Sequence, residues 1–365
     1  MRQKQCAGRK KWIAAVVAVA AMFSAVLMFG YNPFQDNLGT ITAPVPEIAR
    51  WNSMPVEWLL NPDTPANNVS VSGCLSGTPG GCIEPSLTAG FTTWMGAQVS
   101  GQSLTVLSVN YAGTSTLTSP DYQDCQNVVG FSDTNSSDFS TGTIAFTQVA
   151  TATPNPGTTA PFQYTCQSSG ATKTCDFDDC IADADIEFNP TINFTTSLSP
   201  PTNTFSLQSV ATHEEGHLLG LDHSGIGHTA MFPFGDSDAA GQQTQLATDD
   251  AIGISSLYPS SSFSTATGTI SGTVSQSGTA MFGAHVVAVN AGTGLAVTDR
   301  LTASDGSYSL IVPPGSYYVL ALPLAANSDS GVLTLDNFSG WACGYGDSLC
   351  TTVPQNPTGY TGRYH

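Results

Sequence analysis

Three of the six histidines in this chain lie within eleven residues, in the segment ATHEEGHLLGLDHS at 211–224. His213 and His217 are four positions apart, so in an α-helix their imidazoles face the same side. His223 follows six positions later, and Gly220 can adopt the left-handed conformation that ends a helix. The spacing therefore predicts a helix, a turn at Gly220 and three imidazoles that meet at one point.

Three imidazoles that converge in this way are typical of a catalytic zinc site, in which a fourth coordination position is left for water. Glu214 directly follows the first histidine, and its carboxylate is placed to take a proton from a water molecule at the metal. We predict one zinc ion held by His213, His217 and His223, with Glu214 as general base. The next residue, Glu215, is expected on the helix surface or behind the ligands, without a catalytic role.

The full pattern H-E-x-x-H-x-x-G-x-x-H, present here at 213–223, resembles that of the metzincin zinc endopeptidases and, among them, the matrix-metalloproteinase-like matrixins. HTAMFPF at 228–234 resembles their Met-turn, which implies that Met231 forms an apolar floor beneath the metal. RWNSMPVEWLLN at 50–61 is similar to their first strand, and DDAIGISSLYP at 249–259 to their closing helix. The resemblance implies an α+β catalytic domain, in which a twisted mixed sheet packs against the active-site helix.

The chain also departs from this family. Position 233 is proline, where astacins and serralysins carry a tyrosine zinc ligand, and no histidine precedes His213 to bind the second, structural zinc of vertebrate matrixins. We therefore expect a single zinc. Calcium is left open, because the acidic run DFDDC at 176–180, with Asp183 and Asp185, could supply oxygen ligands or could form a solvated loop.

Residues 1–30 have the pattern of an export signal, in which basic residues up to Lys11 precede an apolar run at 12–30. The length of this run lies between that of a signal peptide core and that of a membrane-spanning helix. A cleaved signal peptide and an uncleaved N-terminal anchor are therefore both open. In either case we expect the rest of the chain to be secreted, or held at the outer face of the membrane.

Eight of the nine cysteines lie beyond Cys6, and an even number in an exported chain predicts disulfides. Proximity along the chain favours the pairs Cys74–Cys82 and Cys343–Cys350. The remaining four cysteines allow three pairings: Cys125, Cys166, Cys175 and Cys180.

The net charge of −18 is unevenly distributed, because five of the nine Lys and Arg lie at or before Lys11 and all 27 acidic residues lie beyond position 35. A body this acidic argues against nucleic acid and anionic membrane surfaces as partners. Contact with a membrane is expected only through a possible N-terminal anchor. The expected partners are protein or peptide substrates, and the chain is expected to be a monomer.

Composition and periodicity divide the rest of the chain into five segments. They are a lead at 31–48, the catalytic domain at 49–260, a polar flexible linker at 261–267, a small all-β sandwich at 268–325 and a disulfide-containing tail at 326–365. Within the catalytic domain, helical periodicity predicts helices at 87–99, 206–219 and 248–257, the last with Thr248 as its N-cap.

The short β-like runs beyond residue 268, among them ISGTV and DGSYSLIVPPGSYYVLA, resemble carboxypeptidase regulatory-like (transthyretin-like) domains. Such modules are usually accessory, so the resemblance implies no chemistry there. We expect residues 268–325 to fold alone and to be dispensable for peptide-bond hydrolysis.

Taken as a whole, the sequence predicts an exported zinc endopeptidase. The alternative is a cell-surface binding protein, in which a protease-like domain and the β-sandwich recognise a ligand without turnover. Glu214 favours the enzyme, because a binding protein has no need of a carboxylate at that position.

Overall fold

The computed structural model describes most of the chain between Ile48 and Leu324. The described residues are 48–61, 69–70, 83–117, 121, 123–131, 139, 142–152, 154, 159–178, 180–235, 243–303, 305–324, 333, 338 and 363–364. The expected signal or anchor, most of the tail, and the expected pairs Cys74–Cys82 and Cys343–Cys350 lie outside them. Within the described ranges, no helix is long and apolar enough to cross a membrane.

Four helices occur in the described chain: α1 (Glu84–Met95), α2 (Leu207–Leu218), α3 (Thr248–Leu257) and the short α4 (Phe263–Ala266). The first begins three residues before the predicted position, because Pro85 in its first turn favours helix initiation. Ser206 is the N-cap of α2, and its side chain accepts a hydrogen bond from Ser209 N at 3.3 Å.

The third helix has the predicted bounds, but its N-cap is Ala247 rather than Thr248. Asp250 Oδ2 accepts a hydrogen bond from Ala247 N at 2.8 Å, so a side chain of the first turn provides the acceptor for the backbone N–H of the N-cap residue. Asp249 and Asp250 lie in the first turn of α3, and both are buried.

The first part of the chain, residues 48–260, contains eleven strands among its described residues. They are β1 (Arg50–Trp51), β2 (Val56–Leu60), β3 (Val69–Ser70), β4 (Val109–Thr114), β5 (Val128–Phe131), β6 (Ala145–Ala152), β7 (Phe162–Thr165), β8 (Thr172–Cys175), β9 (Cys180–Phe188), β10 (Phe194–Thr195) and β11 (Phe205–Ser206).

The main sheet has six strands, in the order β1-β9-β5-β2-β4, with β6 also paired to β9. The pairs along this order are parallel, whereas β6 runs antiparallel to β9 from Ala145↔Phe188 to Ala152↔Cys180. All nine residues of β9 are buried, as is typical of a central strand. A mixed sheet with few helices is consistent with a matrixin catalytic domain.

The helices α1 and α2 pack together through a shared core of large side chains. Trp94 of α1 is fully buried, and its Nε1 donates a hydrogen bond to Thr212 O of α2 at 2.7 Å. The largest fully buried side chains of this part of the chain are Trp58, Trp94, Phe91, Phe131, Phe188 and Phe194. Burial of this aromatic surface is a major source of stability for the first part of the chain.

The four cysteines whose pairing the sequence left open form the disulfides Cys125–Cys166 and Cys175–Cys180. The first joins the segment that precedes β5 to the end of the β7 strand. The second closes the loop between β8 and β9. Both lie close to the main sheet, on the side where β9 begins.

Asp183 and Asp185 do not belong to a solvated acidic loop, because each is only 1% exposed. Asp183 Oδ2 accepts a hydrogen bond from Cys125 N, and Asp185 Oδ1 accepts one from Val128 N, both at 2.7 Å. Burial raises the pKa of Asp183 to about 7 and the pKa of Asp185 to about 8. These carboxyls hold the segment before β5 against β9, and within the described ranges no three acidic side chains converge on one point.

The second part of the chain, from residue 268 onwards, contains eight strands among its described residues. They are β12 (Gly268–Thr273), β13 (Ser275–Gln276), β14 (Thr279–Ala280), β15 (His285–Asn290), β16 (Ala296–Leu301), β17 (Ser307–Val312), β18 (Tyr317–Leu322) and β19 (Arg363–Tyr364). All their pairings are antiparallel, with β12 on β17, β13 on β14, and a four-stranded sheet in the order β16-β15-β18-β19. One buried cluster joins β15 and β17 through Val286, Ala288, Leu310 and Val312.

The two parts of the chain share buried surface, contrary to the expectation of an independent second unit. The predicted flexible linker at 261–267 contains α4, and its Phe263 packs against the core of the first part. Val297 of β16 and Ile311 of β17 are buried in that same core, with exposures of 9% and 4%. Removal of the second part would therefore expose surface of the first.

Candidate metal centre

The end of α2 is built as the sequence predicted. Gly220 has φ of +100°, and its N–H donates to His217 O at 2.9 Å while Leu221 N donates to Gly216 O at 2.9 Å. This pair of hydrogen bonds is the Schellman motif, which a glycine in the left-handed conformation permits. The chain turns back beneath the helix and brings His223 towards the helical histidines.

The three histidines converge. The Nε2 atoms of His213, His217 and His223 lie 3.2 Å apart in each of the three pairs. A tetrahedral zinc ion with Zn–N distances of about 2.0–2.1 Å separates its nitrogen ligands by about 3.3 Å. The geometry and the all-imidazole donor set therefore fit zinc. Three ligands fill three of the four tetrahedral positions, so the fourth position is left for a further ligand.

Hydrogen bonds at the opposite ring nitrogens orient the two helical histidines. His213 Nδ1 lies 2.7 Å from Ala230 O, and His217 Nδ1 lies 2.8 Å from Leu221 O. A carbonyl accepts a proton, so both rings carry hydrogen on Nδ1 and present the Nε2 lone pair to the common point. Burial lowers the pKa of His213 to about 4 and holds the pKa of His217 well below its usual range, which keeps both rings neutral.

Met231, which the resemblance places beneath the metal, is 2% exposed and packs directly against α2. An added Cβ at Gly216 would clash with Met231 Sδ, so this glycine allows the close approach. Asp250 of α3 fixes the turn, because its carboxylate accepts hydrogen bonds from Ala230 N at 2.9 Å and Met231 N at 3.1 Å. Sequence reasoning missed this role of Asp250.

Glu214 lies beside the histidines with 5% exposure. Thr147 of β6 donates a hydrogen bond from Oγ1 to Glu214 Oε2 at 2.7 Å and lies 3.0 Å from Glu214 O. Burial raises the pKa of Glu214 to about 7, against the opposing effect of the Thr147 hydrogen bond. The edge strand β6 therefore orients the carboxylate, and no local signal in the sequence indicated Thr147.

Of the two positions expected for Glu215, the helix surface is wrong, because the residue is fully buried between α1 and α2. An added Cβ at Gly90 of α1 would clash with its carboxyl group, and neither carboxyl oxygen has a hydrogen-bond partner among the described residues. Burial raises the pKa of Glu215 well above its usual range, because the charged form loses its hydration there. The helix has no solvent face at this position, since eleven of its twelve residues are buried.

Replacing Glu215 by leucine should stabilise the protein. Leucine has a similar volume and removes a buried polar group without partners, which is worth about 1–3 kcal/mol in the free energy of unfolding. Urea unfolding measures this change. The matched control is Glu57→Leu on an exposed position of β2, for which we expect a change within about 0.5 kcal/mol. A loss of stability in Glu215→Leu would show that its carboxyl group has a partner.

Residues 137–259 match the model of the matrixin family, and this stretch runs from just before β6 to the end of α3. Over 59 residues the chain is 46% identical to Metalloendoproteinase 5-MMP of Arabidopsis thaliana, which is 16% of each chain. Over 60 residues it is 47% identical to Metalloendoproteinase 1 of Glycine max, which is 16% of this chain and 19% of that protein. It is also 40% identical over 52 residues to Karilysin of Tannerella forsythia, which is 14% of this chain and 10% of that protein.

These matches support the resemblance for part of the chain: residues 137–259 match the matrixin family model, and a stretch of about 60 residues is similar to plant metalloendoproteinases. The chain spans less than a fifth of the length of each of these relatives. The likeness of residues 268–325 to carboxypeptidase regulatory-like domains stays a prediction.

Proposed function

We propose that the chain is an exported zinc metalloendopeptidase that hydrolyses peptide bonds in protein or peptide substrates. The observation that carries the proposal is the triangle of His213, His217 and His223, whose Nε2 atoms lie 3.2 Å apart beside the buried carboxylate of Glu214. The matrixin domain at 137–259 and the metalloendoproteinase relatives support it.

In this proposal the three histidines hold one zinc ion through their Nε2 atoms. When bound, zinc supplies a Lewis acid that polarises the scissile carbonyl and lowers the pKa of water. Glu214 takes a proton from the attacking water and delivers it to the leaving nitrogen. Thr147 donates a hydrogen bond to Glu214 Oε2 and so orients the carboxylate for this transfer. The packed Met231 closes the site from below.

Export is the part of the proposal that concerns location. The basic stretch and the apolar run within residues 1–30 support it. The disulfides Cys125–Cys166 and Cys175–Cys180 also support it, because such bonds persist in oxidising compartments.

The paired antiparallel sheets beyond residue 268 support a β-sandwich of the carboxypeptidase regulatory-like kind.

Zinc content and peptide cleavage test the proposal together. The full chain should contain one zinc ion by elemental analysis and should cleave internally quenched peptides. His217→Ala should lose both properties, because two imidazoles do not form a closed ligand set. His228→Asn is the control, since this histidine lies exposed on a nearby loop with φ of +67°, a conformation that asparagine tolerates.

Two other results would contradict specific parts of the proposal. Two zinc ions per chain would show that a second site exists. A wild-type chain that holds one zinc ion and cleaves no peptide of a broad library would favour the binding-protein alternative.

A further inference from the structure

The loop that carries His223 is anchored by the second part of the chain. Ser224 Oγ donates a hydrogen bond to Asp299 Oδ1 at 3.1 Å, and Gly225 N donates one to Asp299 Oδ2 at 2.8 Å. Asp299 lies on β16, 75 positions beyond Ser224. On the other side of the loop, Ser224 N donates to Met231 O at 2.8 Å. The residues that follow His223 are therefore held from two directions.

Asp299 is a rigid anchor because its carboxylate is fully buried and surrounded by hydrogen-bonding groups. Besides Ser224 and Gly225, His285 of the neighbouring strand β15 places its Nε2 2.7 Å from Asp299 Oδ2. His285 is itself only 6% exposed. A buried carboxylate is costly without such bonds, so the three contacts fix its position tightly.

Backbone contacts extend the same anchor. Asp299 N donates to Asp249 Oδ1 of α3 at 3.2 Å, which joins β16 to the closing helix. Gly225 packs so closely that an added Cβ would clash with His285 Nε2 and would lie 2.8 Å from Asp299 Oδ2. A shift of β16 would therefore displace the backbone of the loop directly.

We propose that Asp299, supported by His285, is a positioning residue for His223, and that the second part of the chain thereby completes the metal centre. The inference rests on the proposed function, since it takes His223 as a zinc ligand. His213 and His217 are placed by the hydrogen bonds of a helix. His223 lies on a loop, and a ligand on a loop keeps its geometry only through contacts of this kind.

The test is Asp299→Asn in the full chain. Asparagine has the shape of aspartate, but its NH₂ group is a donor. Placed against another donor, Gly225 N or His285 Nε2, it cannot form the hydrogen bonds that hold the loop. We expect the Kd for zinc, measured by competition with a chromogenic chelator, to rise about 10-fold. We also expect the visible absorption spectrum of the Co²⁺-substituted protein to change. Asp305→Asn, at an exposed turn of the same region, should match wild type in both measurements.

Ser224→Ala provides an independent measurement, because it removes the donor to Asp299 Oδ1, together with the acceptor of Ile226 N, and leaves the sheets intact. Ser224→Ala should also raise the Kd for zinc. In the double variant with Asp299→Asn, the two increases in binding free energy should be less than additive, because both substitutions remove the same Ser224–Asp299 hydrogen bond. If Asp299→Asn does not fold, Ser224→Ala alone decides.

Unchanged zinc affinity and an unchanged Co²⁺ spectrum in the folded variants would overturn the positioning role, even if the wild type is an active peptidase. A wild-type chain that binds no zinc would overturn the proposed function, and this inference with it.

Discussion

Glu214→Gln should lower kcat at least about 100-fold while zinc content and folding stay unchanged. The amide is isosteric with the carboxylate, and Thr147 Oγ1 can still donate to an oxygen at its position. The general base is lost, and general base catalysis typically contributes about 10²–10⁴-fold. The leaving nitrogen also loses its proton donor. Because substrate contacts do not change, KM should change little, and steady-state kinetics on a quenched peptide measures both constants.

The control for this experiment is Glu57→Gln, since Glu57 is exposed on β2 and lies outside the proposed site. Glu215 would be the nearer choice by sequence, but its burial makes it a test of stability instead. Full activity of zinc-loaded Glu214→Gln, or equal losses in both variants, would show that another group accepts the proton.

A chain that ends at Pro259 should unfold more readily than the full chain, by at least about 3 kcal/mol. Val297 and Ile311 are buried in the core of the first part, and each such apolar side chain is worth about 1.5–3 kcal/mol. Asp249 and Ser224, buried in the full chain, would also lose their partners on β16. Urea unfolding, followed by circular dichroism, measures the difference.

Point variants test the packing of Val297 in the shared core without removing the rest of the second part. Val297→Ala should cost about 1–3 kcal/mol, since it leaves a cavity in the shared core. Leu295→Ala, two positions earlier and 68% exposed, should have almost no effect. Equal unfolding free energies for the full and truncated chains would show that the two parts fold independently, as the sequence alone suggested.

The convergence of the three histidines could be predicted from the sequence because they lie close together along the chain. A helical period of 3.6 residues and one helix-ending glycine determine where His213, His217 and His223 lie relative to each other. The same local signals gave the bounds of α3, both ends of α2 within one residue and both ends of α1 within four residues.

The residues that orient this site come from distant segments, and local periodicity has no information about them. Thr147 is 67 positions before Glu214, and Asp299 is 75 positions beyond Ser224. Their positions follow from strand pairing and from the packing of one part of the chain against the other. The burial of Glu215 was missed for a related reason, because a helix enclosed on every side has no polar face for the pattern to reveal.

Gly225 has a consequence for how such a protein can be recombined. Glycine is needed there only because His285 and Asp299 occupy the space that a side chain would fill. If the first part of the chain were joined to a different C-terminal module, Gly225 would remain but His285 and Asp299 would be absent, and the loop beside His223 would lose these contacts. Domain shuffling at residues 261–267 would therefore join two parts that lack the hydrogen bonds of Asp299 to Ser224 and Gly225. The smallest segment that can be inherited or engineered as one block extends past the linker, at least to Asp299.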